Sequence, residues 1–180
     1  LAARDSATLG GVVATNAGGL RVVRHGSTRS LLLGAEVVLA DGSVVRRWSG
    51  LSKDNVGYDL PGLFAGSEGT LGVITKVLLR LTEPPRDVWV SIIGVSSIDD
   101  AHAVLAGVRR AGTTVEAAEF FHAAGLHLVR EHTGLRGLFD QDFPVYLLIE
   151  VSATSDTALA ATLAELGPTI GDAVIEAGPA

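Results

Sequence analysis

The sequence predicts an α+β protein built as two units, and three observations carry that prediction. Two runs rich in β-branched residues, Gly34 to Leu39 and Ser43 to Arg47, flank Ala40-Asp41-Gly42. From Val88 to Glu176 strand-like and helix-like periods alternate, a pattern that packs helices on a sheet. Between these regions lies Pro84-Pro85, beside Arg86 and Asp87. Proline is rejected by helix interiors and central strands, so the pair marks a boundary.

In chain order, residues 1 to 30 are rich in Gly, Ala and Thr. Gly10, Gly11, Gly18, Gly19 and Gly26 interrupt any helical period and predict a loop-dominated region. The two β-branched runs predict a hairpin, because Asp-Gly supplies the positive φ of a tight turn. Pro61 opens a short helical turn over Leu60 to Phe64, and Gly72 to Leu81 reads as a strand. The second unit reads as strand Val88 to Val95, helix Ile98 to Ala111, strand Val115 to Phe121, helix Ala123 to Glu131, strand Val145 to Val151, helix Thr157 to Leu166 and strand Ala173 to Glu176. Ser97 is the expected N-cap of the first of these helices, with Asp99 and Asp100 complementing its dipole.

The 180 residues are 47% hydrophobic, enough for one good core or two small ones. A formal charge of -6, from 14 Lys and Arg against 20 Asp and Glu, gives no basic field for a phosphate backbone and argues against nucleic acid. The absence of Cys excludes disulfides, thiolate metal sites and a Cys nucleophile. No apolar run is long enough to span a bilayer, and no charged n-region with an apolar h-region opens the chain. A cytoplasmic protein is therefore expected. Membrane association through another segment and a homo-oligomer stay open. The chain opens on Leu1 and contains no Met, which predicts an internal piece of a longer protein.

The strongest local signal is Thr8-Leu-Gly10-Gly11-Val-Val-Ala14-Thr15-Asn16-Ala17-Gly18-Gly19. Gly pairs without Cβ atoms let main-chain N–H groups approach an anion such as a pyrophosphate. The run is neither a Walker loop nor a Rossmann fingerprint, and it equally suits two tight turns. A second cluster, Gly66-Ser67-Glu68-Gly69-Thr70-Leu71-Gly72, leads into a predicted strand. It suits a backbone passing close to a flat or phosphorylated ligand.

Four segments in register, ATLGGVVATNAGGLRVVRHGS, LGAEVVLADGSVV, KDNVGYDL and LFAGSEGTLGVIT, resemble the FAD-linked oxidases of the vanillyl-alcohol oxidase superfamily. They are most similar to the branch of D-2-hydroxyglutarate dehydrogenase, D-lactate dehydrogenase and the glycolate oxidase flavin subunit. The resemblance implies that residues 1 to 84 form the second half of a PCMH-type FAD-binding domain and residues 85 to 180 the start of a ferredoxin-like α+β substrate domain. It implies FAD as cofactor, a 2-hydroxy acid as substrate and a separate electron acceptor. It places Ser6, Thr8, Gly10 and Gly11 against the pyrophosphate, Thr15, Asn16, Gly18 and Gly19 toward the isoalloxazine side, and Gly26, Glu68, Gly69, Gly72 and Val73 among the cofactor contacts. Ser67 and Thr70 are secondary candidates. An upstream Gly-rich loop and a downstream His-containing metal segment of such enzymes have no counterpart here. The catalytic base is accordingly unassigned and no metal ligand is expected within the chain. Other enzymes of the same fold, of the alkyl-glycerone-phosphate synthase or aryl-alcohol oxidase type, and a module that has lost its flavin are the competing readings.

Of the remaining polar residues, Arg21, Arg24, His25 and Arg29 form a basic cluster suited to phosphates, to a carboxylate or to a solvated loop. Lys53, Asp54, Asn55, Tyr58 and Asp59 read as a structural turn with capping. His122, His127 and His132 recur every five residues, about 140° apart on a helix, which does not form one metal-binding face. His102 stands alone in a predicted amphipathic helix and, like the other histidines, reads as a surface or partly packed residue, and Glu116, Glu119 and Glu150 have no partner at a defensible spacing.

Overall fold

A computed structural model describes residues 3–51, 53–85, 87–137, 139–152, 156–165 and 173–178. The chain divides into two compact units, Leu1–Glu83 and Pro84–Ala180. Arg86 and Leu166, named above in the boundary and in a helix end, lie outside the described residues.

In the first unit the Gly-rich opening is not a loop. It forms three short helices, α1 (Leu9–Ala14), α2 (Val22–His25) and α3 (Thr28–Leu31). Glycine disfavours a helix by about 1 kcal/mol relative to alanine, and local and tertiary bonds override that preference over α1's six residues. The Thr8 side chain caps α1 by accepting from Gly11 N at 3.1 Å, and Thr15 Oγ1 donates to Gly11 O at 2.8 Å. Val13 is fully buried.

The hairpin forms as β1 (Leu32–Val38) and β2 (Val44–Trp48), with Val38 opposite Val44. Its turn has Gly42 at φ 82°, and Asp41 Oδ1 accepts from the N–H and hydroxyl of Ser43 at 2.9 and 2.6 Å. This is the three-residue loop that places glycine in the left-handed region. Helix α4 (Leu60–Phe64) is capped by Asp59, whose Oδ1 accepts from Gly62 N at 2.9 Å. Strand β3 (Val73–Leu79) completes an antiparallel sheet of order β2-β1-β3. Ala35, Val37 and Phe64 are its buried core, flanked by Leu39, Val45 and Ile74. Glu36 lies on the central strand opposite Arg46 of β2 and Lys76 of β3. Its carboxylate accepts from Arg46 Nε at 2.5 Å, Thr75 Oγ1 at 2.9 Å and Lys76 Nζ at 3.4 Å. These donors hold the carboxyl near a pKa of about 2, Arg46 contributing most.

The second unit runs β4 (Val88–Val95), α5 (Ile98–Arg110), β5 (Thr114–His122), α6 (Ala123–Thr133), β6 (Val145–Ser152), α7 (Asp156–Glu165) and β7 (Ala173–Gly178). The sheet is antiparallel in the order β5-β6-β4-β7. Strands β4 and β5, joined by α5, flank β6, which is the split βαβ arrangement of a ferredoxin-like fold. Helix α6 stands where a tight hairpin would otherwise link β5 to β6. Ser97 caps α5, its Oγ accepting from Asp100 N at 3.1 Å. Ala101, Val104 and Val108 put one helix face on a core that includes Ile93, Ile149 and Val151, each large aliphatic contributing roughly 1.5–3 kcal/mol on burial. On the opposite face, Tyr146 stacks between Phe121 and Phe139 at 5.3 and 5.8 Å, and Phe143 closes on Gly94.

Candidate functional site

The two glycine-rich clusters, separated by about fifty residues of sequence, meet around α1. At its C-terminal end, Val13 O accepts from Gly66 N at 3.0 Å and Ala14 O from Glu68 N at 2.9 Å. These are carbonyls that a helix end leaves without intrahelical donors. From there the second cluster runs back beside the helix, so that Ile74 O lies nearest to Gly10. One face of the first unit therefore carries α1 and the segment 66–74 side by side. Asn16 and Glu68 both adopt positive φ, 48° and 52°, conformations that non-glycine residues hold only where their surroundings impose them.

The glycines at this face differ in what they accommodate. A Cβ on Gly18 would lie 2.6 Å from Val22 Cγ2, and one on Gly72 would lie 2.7 Å from Val37 Cγ1 and 2.8 Å from Val38 O. Packing within the chain therefore accounts for these two. Gly26 ends α2 at φ 78°, against Ser30, and Gly69 turns at φ 80°. Gly10 is different: its nearest neighbour to an added Cβ is Ile74 O at an ordinary 3.7 Å. Nothing among the described residues of the first unit explains a glycine there, and it borders an open groove of about 480 Å³ with Leu9, Trp48 and Lys76. Gly11 sits over its cap, with Thr8 Oγ1 3.1 Å from an added Cβ.

The other expected residues take up distinct positions. Ser6 lies in the turn before α1, its N–H donating to Ala3 O at 3.1 Å, and Gly19 O accepts from Val22 N. Val73 is exposed at the start of β3 and lines a shallow groove of about 460 Å³ with Leu39, Thr70 and Leu71. Ser67, a secondary candidate, has a buried hydroxyl with no hydrogen-bond partner among the described residues, while Thr70 Oγ1 donates to Ser67 O at 2.6 Å. An orphaned hydroxyl between two glycine-rich turns and a helical glycine without an internal reason both fit a ligand laid along this face.

Residues 1–47 match the model described as FAD binding domain, and residues 84–177 match that of FAD linked oxidases, C-terminal domain. The chain belongs to the FAD-linked oxidases. FAD is the cofactor of that family. The chain is 46% identical over 155 residues to the mitochondrial D-2-hydroxyglutarate dehydrogenase of Bos taurus, covering 86% of this chain and 28% of the relative. It is 40% identical over 163 residues to a D-2-hydroxyglutarate dehydrogenase of Xanthomonas citri pv. viticola, covering 91% and 34%. The chain thus spans about a third or less of these relatives. A solved structure of alkyldihydroxyacetonephosphate synthase superposes with a TM-score of 0.65 at 17% identity, over 95% of this chain and 33% of that one. At that identity the likeness speaks for the fold.

The expectation of a cytoplasmic protein is corrected by these relatives: the bovine one is mitochondrial, as are those of Danio rerio, Rattus norvegicus and Arabidopsis thaliana. Composition and short apolar runs describe the interior of a folded chain and carry no address. No helix among the described residues is long and apolar enough to cross a membrane.

Outside this face, Arg47 Nη2 pairs with Asp54 Oδ2 at 2.8 Å and donates to Val56 O at 2.7 Å, so the KDNVGYDL segment is tied to β2. His127 Nε2 lies 3.6 Å from Asp142, His132 Nδ1 lies 3.2 Å from Leu128 O, and His122 stands edge-on to Phe120. Sequence spacing missed Glu116, which is buried at a bulge in β5 and accepts from the Ser152 hydroxyl. Among the described residues no group of three or more His, Asp or Glu is placed to hold a metal ion.

Proposed function

We propose that this chain is part of an FAD-dependent dehydrogenase that oxidises a D-2-hydroxy acid, D-2-hydroxyglutarate first among candidates, to the 2-oxo acid. The observation that carries the reading is the convergence of the two glycine-rich segments on α1, with Gly10 open to a groove and Ser67 Oγ unsatisfied. Identity of 40–46% to D-2-hydroxyglutarate dehydrogenases supports the substrate class.

The site residues divide along the helix. Ser6, Thr8, Gly10 and Gly11 would lie at the cofactor's pyrophosphate, where a main chain without Cβ atoms admits close approach of phosphate oxygens. Thr15, Asn16, Gly18 and Gly19 lie at the other end of α1, about 9 Å away by helical rise, and would line the ring side. Gly26 would support that end from behind α2. Glu68, Gly69, Gly72 and Val73 would run between the two, offering main-chain groups. When bound, FAD supplies the acceptor for the hydride leaving the substrate's Cα, and a further acceptor takes the electrons onward. The chain's part is to hold the cofactor and exclude water. Residues 1–84 would supply the rest of the FAD-binding domain's second half, and 85–180 the opening of the substrate domain. None of the residues described here is assigned the proton from the substrate hydroxyl.

The test is anaerobic reduction of the full-length flavoprotein. D-2-hydroxyglutarate should bleach the visible flavin band faster than D-lactate or glycolate at equal concentration. Bleaching by none of the three would refute the substrate class. A protein purified without flavin and refusing added FAD would refute the cofactor reading.

A further inference from the structure

We propose that Arg29 is a positioning residue for the flavin, bracing the two glycine-rich turns to each other. The inference rests on the cofactor reading above and adds a residue to it. Arg29 lies in a basic stretch whose charge suits phosphates equally well on sequence grounds. Geometry separates it from that role. Its Nη2 donates to Ala65 O at 2.5 Å, and its own backbone N–H donates to Asn16 Oδ1 at 2.8 Å. One residue thus holds both turns, the first through Asn16 and the second through the carbonyl just before Gly66.

The fit leaves no slack. A Cβ on Gly66 would lie 3.2 Å from Arg29 Nη2 and 3.2 Å from Asn16 Cβ, and Gly66 itself has φ 79°. Asn16 and Glu68, on either side of this contact, have left-handed backbones, which non-glycine residues hold only where neighbours over-determine them. Thr28 adds a second strut, its Oγ1 donating to Ala17 O at 2.6 Å. The guanidinium's partner is a neutral carbonyl, so its contribution is directional rather than a long-range field. Removing it leaves a buried carbonyl short of a donor and frees the turn that carries the Ser67 hydroxyl.

The experiment uses the full-length holoprotein, with FAD as the probe. Arg29→Met should weaken FAD binding roughly ten- to a hundredfold, the span of one charge-assisted hydrogen bond. The loss should be equal at low and high salt, and the visible circular dichroism of the residual bound flavin should change. Thr28→Val removes the second strut at a residue outside the cofactor face and should reproduce both effects to a smaller degree, including where Arg29→Met fails to fold. The double variant should lose less than the two losses combined. A loss that fades at high salt would make Arg29 a phosphate contact. Unchanged affinity, or lowered thermal stability with unaltered flavin dichroism, would equally overturn the brace. Gly11→Val is the control for the underlying reading: if it releases flavin while Arg29→Met does not, only the brace fails, and if neither does, the site itself is misplaced.

Discussion

Gly10→Ala should move stability and cofactor affinity in opposite directions. In the apo protein the new methyl meets, among the described residues, only Ile74 O, at 3.7 Å, so it enters without a clash. Replacing glycine inside α1 removes conformational freedom from the unfolded chain and favours the helix, a gain of about 0.5–1 kcal/mol. For a chain of this size that is roughly 1–4 °C in the unfolding midpoint of the apo protein. In the holoprotein the same methyl projects toward the groove in which the pyrophosphate is proposed to lie. Forcing a methyl into a close contact costs about 1–3 kcal/mol, or roughly five- to 150-fold in the dissociation constant for FAD. Thermal unfolding of the apo form and an FAD titration of the full-length protein measure the two effects. A variant that gains stability and binds FAD as the wild type does would refute the argument, because the glycine would then serve no ligand.

Other perturbations follow from the surrounding structure. The Glu36 carboxyl has a pKa of about 2 in the fold against 4.5 unpaired, so the native state binds fewer protons than the unfolded chain between those values. Its stabilisation is complete above about 4.5 and is lost as pH falls toward about 2. The stability difference between wild type and Glu36→Gln, followed by urea unfolding, should therefore shrink across that window, and a constant difference would refute the pairing. Gly94→Ala would set a methyl 2.2 Å from the Phe143 ring and should cost about 1–3 kcal/mol, measured by denaturant midpoint. Phe143→Ala in the same chain should make the two losses non-additive. Limited proteolysis should cut between Glu83 and Asp87 before it cuts within Gly34 to Val45; early cleavage inside the hairpin would refute the proposed domain division.

What was legible in the sequence depended on how local its cause was. Ser97, Asp41-Gly42 and Pro61 each announce a cap, a turn or a helix start through their own side chains, and these elements form where expected. The hairpin and the alternating strands and helices of the second unit follow from periodicity in the same way. Helices α1 to α3 were not legible, because glycine content speaks only of intrinsic preference. What makes α1 a helix is Val13 buried beneath it and the amides of Gly66 and Glu68 arriving from the other cluster. The candidate site divides along the same line. Both clusters were visible as motifs, but nothing in their spacing distinguishes Gly10, which faces a groove, from Gly18 and Gly72, which yield to Val22 and Val37. Arg29 read as charge, whereas its bonds are to a carbonyl and an amide oxygen.

The register of the second unit's sheet bears on how the protein is made. The first residue of β4 pairs with the last of β7, Val88 with Gly178, and β4 is the one strand flanked by both β6 and β7. Emerging from the ribosome, β4 therefore waits for α5, β5 and α6 before β6 arrives, and for nearly the whole unit before β7 does. Until then its hydrogen-bonding edges and the side chains of Ile92 and Ile93 are open to other chains, the condition under which non-local sheets aggregate. The first unit closes sooner, since β2 follows β1 across a three-residue turn. Synthesis conditions that slow elongation, or a truncation before β7, should accordingly tax the second unit and spare the first.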